Sequence, residues 1–250
     1  MMTMISRDRA FPLMLAIEGN IGAGKSTLLA ELPRLLAPRA LTCVPEPVEQ
    51  WRASGILARF YADPPRWAYA FQSYAFLSRL KAQTQAYAAA SADNITVLER
   101  SVWSDRHVFA AQCAASGTFS DVERVMYEDW HNWLVMDGAP ERVRLDGILY
   151  LHSTPGVCHA RIARRAREEE TAAIDLSYLE ALHGRHEAWL ATTTTPVCRI
   201  DADALDWTST ERVGALTAQL QAFVDGLAAD AARQLEVLGH EGDAAGVDGA

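Results

Sequence analysis

Residues Gly19, Asn20, Ile21, Gly22, Ala23, Gly24, Lys25, Ser26 and Thr27 place three glycines ahead of a lysine and two hydroxyls, in the order G-x-x-x-x-G-K-S-T. Small residues let backbone N–H groups approach phosphate oxygens, and a following helix N-terminus adds positive potential. In that pattern Lys25 reaches the β- and γ-phosphates of a nucleoside triphosphate, and the Ser26 hydroxyl is placed for Mg²⁺. Three further groups carry matching chemistry. Glu46 stands in VPEPVEQW (44–51), and Glu99 and Arg100 stand in NITVLERSVWSDRHVF (94–109). Arg161, Arg164, Arg165 and Arg167 stand in ARIARRAREEE (160–170). One carboxylate can take the proton of an attacking hydroxyl, a second can complete a metal shell, and arginines can neutralise charge on a transferring phosphoryl group.

Positioning these groups needs strands and helices in alternation. LMLAIE (13–18), LTCVPE (41–46), NITVLE (94–99), GILYLH (147–152) and PVCRID (196–201) read as buried strands. The segments between them are too long for loops and are rich in Ala, Leu, Gln and Arg. The pattern predicts an α/β protein with a five-stranded parallel sheet flanked by helices. The glycines fall between the first strand and a helix, KSTLLAELPRLL, with apolar Leu28, Leu29, Leu32, Leu35 and Leu36. That context gives the P-loop NTPase fold. In such a sheet the C-terminal strand ends face the ligand crevice, so Glu46, Glu99 and Arg100 fall on that edge. DPPRW (63–67) reads as a break between two helices. No repeat or linker divides the chain, which is expected to comprise an N-terminal extension (1–12), one domain (13–238) and a disordered acidic tail (239–250).

Each group has a plainer alternative. Spacing leaves Glu46 open between a general base and a surface glutamate in a turn. Glu99, ending an apolar run, favours the metal side. Arg161 and Arg165 share one helix face, being four apart. Composition reads that run as a solvated face with Arg–Glu pairs, and a lid over phosphates is the alternative. The aromatic stretch 60–85, holding Gln72 and Arg79, reads by itself as helical core. A pocket that stacks a planar base and reads its edge is the other reading.

Bulk properties exclude other classes. The chain has 250 residues, half of them apolar, and a net charge of -9. An acidic surface argues against sequence-independent binding of a nucleic-acid polymer. No apolar run is long enough to span a membrane, and the N-terminus lacks a secretory apolar core. The widely spaced cysteines, Cys43, Cys113, Cys158 and Cys198, read as buried free thiols in a reducing compartment. A cytoplasmic location is expected, with a mitochondrial one as the alternative.

GNIGAGKST, PEPVEQW, RWAYAFQSYAFLSRL, ERSVWSDRHVFA, YEDWHNWL, DGILYLHSTP, RRAREEE and YLEALHGRHEAWL together resemble the deoxynucleoside kinases of the deoxycytidine and deoxyguanosine type. They occur in that family's order over residues 13 to about 224. FLSRLK, RAREEE and ALHGRHEAWL look closest to the deoxyguanosine kinase branch. The resemblance implies an ATP- and Mg²⁺-dependent enzyme that phosphorylates the 5′-hydroxyl of a small deoxynucleoside, a homodimer, and an Arg-rich lid. It implies roles by position: Glu46 as the base, Arg100 beside it, and Glu99 on the metal side. Tyr61 and Glu170 would hold the sugar 3′-hydroxyl, and Gln72 would read the base. Phe71 and Phe109 would sandwich the base, with Trp51 lining the pocket. Arg161, Arg165 and Arg167 match lid arginines, and DADALDW (201–207) stands where the donor base is covered, though it departs from the family's sequence there. Arg79 and Asp105 together imply deoxyguanosine, deoxyadenosine and deoxycytidine over thymidine. A thymidine-preferring kinase is the alternative within the family. A GTP-hydrolysing switch would need an Asn-Lys-x-Asp motif, which the sequence lacks. A catalytically silent nucleotide-binding subunit is opposed by the presence of Lys25, Ser26, Glu46, Glu99 and Arg100.

Overall fold

A computed structural model describes residues 12–91, 94–138, 140–165 and 174–244, the last eleven as backbone alone. Five strands form one parallel sheet: β1 (Leu13–Gly19), β2 (Ala40–Val44), β3 (Asn94–Glu99), β4 (Gly147–His152) and β5 (Val197–Asp201). Their order across the sheet is β2-β3-β1-β4-β5. The chain leaves β1 for one side and later returns to its other side, so the crevice opens at the C-terminal end of β1, where the strand order reverses.

The register sets the levels at that edge. Ile17 lies opposite Glu99, Gly19 opposite Leu151, and Val44 opposite Leu98. Two residues past Val44, Glu46 comes level with Arg100. The second strand was expected to run to residue 46 but stops at Val44. Pro45 and Pro47 lack the N–H that a further ladder bond needs. Both β2 and β5 are edge strands and are only partly buried, unlike the buried strands expected at those positions.

The helices are α1 (Lys25–Leu35), α2 (Val48–Ala53), α3 (Ile56–Ala62) and α4 (Pro64–Ala89). Asp63 separates α3 from α4, and Pro64 opens α4, where its missing N–H costs no helix bond. Val102–Ser104, Asp105–Ala110 and Ala111–Ala115 run on as one helix, α5, whose middle segment is π-helical. Next come α6 (Asp121–His131), which continues as a π-helical turn Asn132–Asp137, then α7 (Pro155–Arg165), α8 (Leu176–Leu190) and α9 (Thr210–Ala244). Residues 239–244, expected as tail, continue α9.

Leu28, Leu29, Leu32, Leu35 and Leu36 are all buried, as the helical spacing of α1 predicts. They pack with Leu15, Ile17, Val97, Leu149 and Leu151 of the sheet, and with Leu216, Leu220 and Val224 of α9. A second apolar cluster lies among α2 to α6 and includes Trp51, Phe60, Phe71, Phe76 and Tyr127. The site lies where these two bodies meet. Among the described residues no helix is long and apolar enough to cross a membrane.

Candidate active site

The phosphate loop needs its glycines for space as well as for backbone freedom. Gly19 has φ 143° and Gly22 has φ 81°. A Cβ at Gly19 would stand 2.6 Å from the Leu151 carbonyl oxygen, and one at Gly22 would stand 2.6 Å from that of Cys158. Both clashes are with backbone of neighbouring elements, which cannot swing away. Gly24, at φ 101°, caps α1, and Lys25 opens it. Lys25 Nζ donates to the carbonyls of Asn20 (2.8 Å) and Gly19 (3.2 Å). Asn20 Nδ2 donates to the Leu179 carbonyl at 2.8 Å, which ties the loop to α8. Burial, reinforced by Arg100, pushes the Lys25 ammonium down to about 8 against the pull of Glu46, Glu99 and Glu18. Ser26 Oγ donates to Glu99 Oε1 at 2.6 Å, joining the loop to the end of β3.

Beyond the loop, two buried guanidiniums converge on Glu46. Arg79 Nη2 lies 2.5 Å and Arg100 Nε 3.3 Å from Glu46 Oε1. Arg79 also pairs with Asp105 through Nη1. Arg79 thus joins the carboxylate after β2 to the one at the start of the π-helical segment. Burial raises the Glu46 carboxyl, but Arg100, Arg79 and Lys25 outweigh it and hold the group below the usual glutamate value. Arg100 has φ 65°, in the left-handed region that a side chain adopts only at a cost. Its N–H is fixed by the Ile17 carbonyl at 3.0 Å, and its guanidinium covers the Phe109 ring at 4.6 Å.

Glu18 is fully buried one residue before the loop. It accepts from Ser101 Oγ at 2.7 Å and faces Arg100 Nη1 at 4.0 Å. Burial raises its carboxyl, opposed by Arg100 and by the hydroxyls of Ser101 and Ser104. The sequence reading did not single out Glu18. Its signal was an ionisable residue ending an apolar run directly before Gly19.

Lys25, Ser26, Glu99, Glu46, Arg79, Arg100 and Asp105 line one cavity of about 720 Å³, in the range of small-molecule sites, and Glu18 lies behind its wall. Of the residues named from sequence, Ile21, Gly22, Ala23, Gly24, Lys25, Ser26 and Thr27 line one end of it with Glu99, Arg161 and Arg165. Glu46, Trp51, Tyr61, Phe71, Gln72, Arg79, Arg100, Asp105 and Phe109 line the rest. Gly19 and Asn20 support the loop from behind and are not in the wall. Arg167 and Glu170 lie outside the described residues. Trp51 stands edge-on to Phe71 at 5.6 Å and donates from Nε1 to Ser78 Oγ at 2.9 Å. Phe60 stacks on Phe71 at 4.8 Å, so the aromatic stretch is both core and cavity wall. Arg161 donates to the Ala23 carbonyl (3.3 Å) and the Ala202 carbonyl (2.8 Å), bridging the loop to the segment after β5. Arg164 of the arginine-rich run and Leu205 and Trp207 of the segment 201–207 also line the cavity, as does Tyr178, which the sequence reading did not single out.

A family model described as deoxynucleoside kinase matches residues 15–225. Chicken deoxycytidine kinase 2 is 41% identical, over 73% of this chain and 76% of its own length. Human deoxycytidine kinase is 38% identical, over 72% and 76%. The mitochondrial deoxyguanosine kinase of Xenopus laevis is 36% identical, over 73% and 75%.

Gly22→Ala places a Cβ against the Cys158 carbonyl at a positive φ. It is expected to lower stability by about 1–3 kcal/mol, read by urea unfolding. An unchanged midpoint would show that α7 moves freely away from the loop.

Proposed function

The chain belongs to the deoxynucleoside kinase family, and from that premise we propose in-line transfer of the γ-phosphoryl group of ATP to the 5′-hydroxyl of a deoxynucleoside. One observation carries the reading: the Glu46 carboxylate, held by Arg79 and Arg100, shares a cavity with the phosphate loop. Glu46 accepts the 5′-hydroxyl proton as the 5′-oxygen bonds to the γ-phosphorus. The bond from that phosphorus to the bridging oxygen breaks, and ADP leaves. Held low by its cations, Glu46 is ionised and ready to accept. Lys25, Arg161, Arg164 and Arg165 face the phosphates and stabilise the charge spread over the transferring group. Ser26 and Glu99 offer a hydroxyl and a carboxylate side by side, hard oxygen donors that suit Mg²⁺. Bound there, the ion would neutralise charge on the donor phosphates.

Base preference follows from the far wall. Asp105 Oδ2 and Arg79 Nε are buried and have no partner among the described residues. An acceptor there suits the amino groups of cytosine and adenine and the N–H groups of guanine. It opposes the O4 carbonyl of thymine, whose methyl group also needs room. We therefore assign deoxyguanosine, deoxyadenosine and deoxycytidine as preferred acceptors over thymidine. The relatives' names, deoxycytidine and deoxyguanosine kinases, agree with this.

The second copy of a homodimer has a surface to cover. Val122, Val125, Met126, Trp130, Trp133 and Met136 are exposed along α6 and its π-helical continuation. Trp130 is 51% and Trp133 57% exposed, with their rings 5.8 Å apart. A contiguous apolar stripe of this kind marks an association surface, and a two-fold contact uses the same stripe twice. The thiols are unpaired, which supports a reducing compartment, the cytoplasm or the mitochondrial matrix.

Glu46→Gln is expected to lower kcat about 10²- to 10⁴-fold and to leave deoxynucleoside binding by calorimetry nearly unchanged. Lost binding with a normal kcat would remove Glu46 from the role of base. Since Arg79 helps to hold the Glu46 carboxyl down, the acid limb of kcat/KM should move to higher pH in Arg79→Met. With Mg²⁺-ATP and each of four deoxynucleosides, the wild type should use thymidine least. Arg79→Met combined with Asp105→Ala should raise thymidine kcat/KM relative to deoxycytidine. An unchanged ranking would show that this pair does not set base choice. Trp130→Glu with Trp133→Glu should turn a dimer into a monomer in sedimentation equilibrium, and a monomeric wild type would remove the stripe as the interface.

A further inference from the structure

A second cluster of metal-ligating side chains lies outside this machinery. His152 ends β4, opposite Asp201 of β5. His183 and Glu187 stand one turn apart on α8 and so share a face. A ring nitrogen from each histidine and a Glu187 carboxylate oxygen all lie within 4.8 Å of one another. The two imidazoles stand 5.3 Å apart, ring centre to ring centre. His152 Nε2 is 3.9 Å from Glu187 Oε1. All three residues are partly buried, which leaves an entry path from solvent.

The carboxylate is already oriented. Tyr150 donates its hydroxyl proton to Glu187 Oε1 at 2.7 Å, and Arg199 Nη1 donates to Oε2 at 2.9 Å. A plain ion pair accounts for Glu187 and Arg199. It does not account for His183, and His152 reaches Glu187 only at 3.9 Å; neither imidazole has a hydrogen-bond partner among the described residues. Two imidazole rings converging on an anchored carboxylate form a donor set for a borderline-soft divalent cation, with outer partners that fix the ligand. Mg²⁺ keeps oxygen ligands, so this set does not duplicate the donors of Ser26 and Glu99.

We propose that His152, His183 and Glu187 bind a divalent cation of the Zn²⁺ class, with solvent in the remaining position. Ligand bonds to such an ion run at about 2.0–2.2 Å, so binding draws the three side chains together by rotation. The ion fastens the C-terminal end of β4 to α8. That helix supplies the Leu179 carbonyl that holds Asn20 of the phosphate loop, and Tyr178 in the cavity wall. The metal therefore braces the loop from behind and takes no part in the transfer.

The test uses the full chain after treatment with a chelator, in excess Mg²⁺. Zn²⁺ is titrated by calorimetry and Co²⁺ by visible absorption. The expected result is one equivalent bound, intense d–d bands of a low-coordinate Co²⁺ site, and a Tm raised by Zn²⁺. His152→Ala and His183→Ala should each abolish these signals. Tyr150→Phe, which loses the hydroxyl that orients Glu187 and keeps the ring, should weaken binding about tenfold or more. His152→Gln, a milder change at a partly exposed position, carries the comparison if an alanine variant fails to fold by circular dichroism. No Zn²⁺ uptake by the wild type, a Co²⁺ spectrum that stays that of the aqueous ion, or equal binding by the histidine variants would overturn the assignment.

Discussion

Arg79 and Arg100 share one oxygen of Glu46, and the far end of the cavity depends on that contact. Three buried cations, Lys25, Arg79 and Arg100, stand among four buried or largely buried carboxylates, Glu18, Glu46, Glu99 and Asp105. A buried ion pair gains little over a well-packed apolar core, but losing one partner leaves an uncompensated charge and costs about 3–5 kcal/mol. The charges are therefore held as a set. Arg79 spans it, with one nitrogen on Glu46 and another on Asp105. The two carboxylates are in this way mechanically linked: whatever displaces Asp105 is felt at Glu46 through a single planar group.

The sheet makes this possible through register. Parallel strands end on one edge, and the pairing of Val44 with Leu98 brings Glu46 level with Arg100. Pro45 and Pro47 then keep the chain from continuing the ladder, which frees Glu46 to turn into the crevice. Arg100 leaves β3 through a left-handed backbone conformation, fixed by the Ile17 carbonyl in the neighbouring strand. Glu18 underlies the same turn. Strain at Arg100 and burial at Glu18 are local costs borne by the packing of β1 against β3.

Helices supply the other wall. The π-helical segment Asp105–Ala110 widens α5 where Asp105 and Phe109 face the cavity, as such turns often do at functional sites. Phe60, Phe71 and Trp51 pack on one another and leave a face to the cavity, so one cluster serves as core and as cavity wall.

The amino-acid sequence by itself determined the glycine-rich loop, the strand–helix alternation and the types of the candidate site groups. These are local: glycine spacing sets a backbone path, and the leucine periodicity of α1 sets its buried face. The eight ordered motifs carried the family as well. Tertiary structure alone decided which charges meet. Arg79 and Glu46 are 33 residues apart, Arg79 and Asp105 are 26, and Ser26 and Glu99 are 73. Tyr178 joins the cavity wall, Glu18 backs Arg100, and His152 meets His183 and Glu187, for the same reason. Such contacts arise from strand register and from helices packing across a core, and spacing along the chain does not encode them.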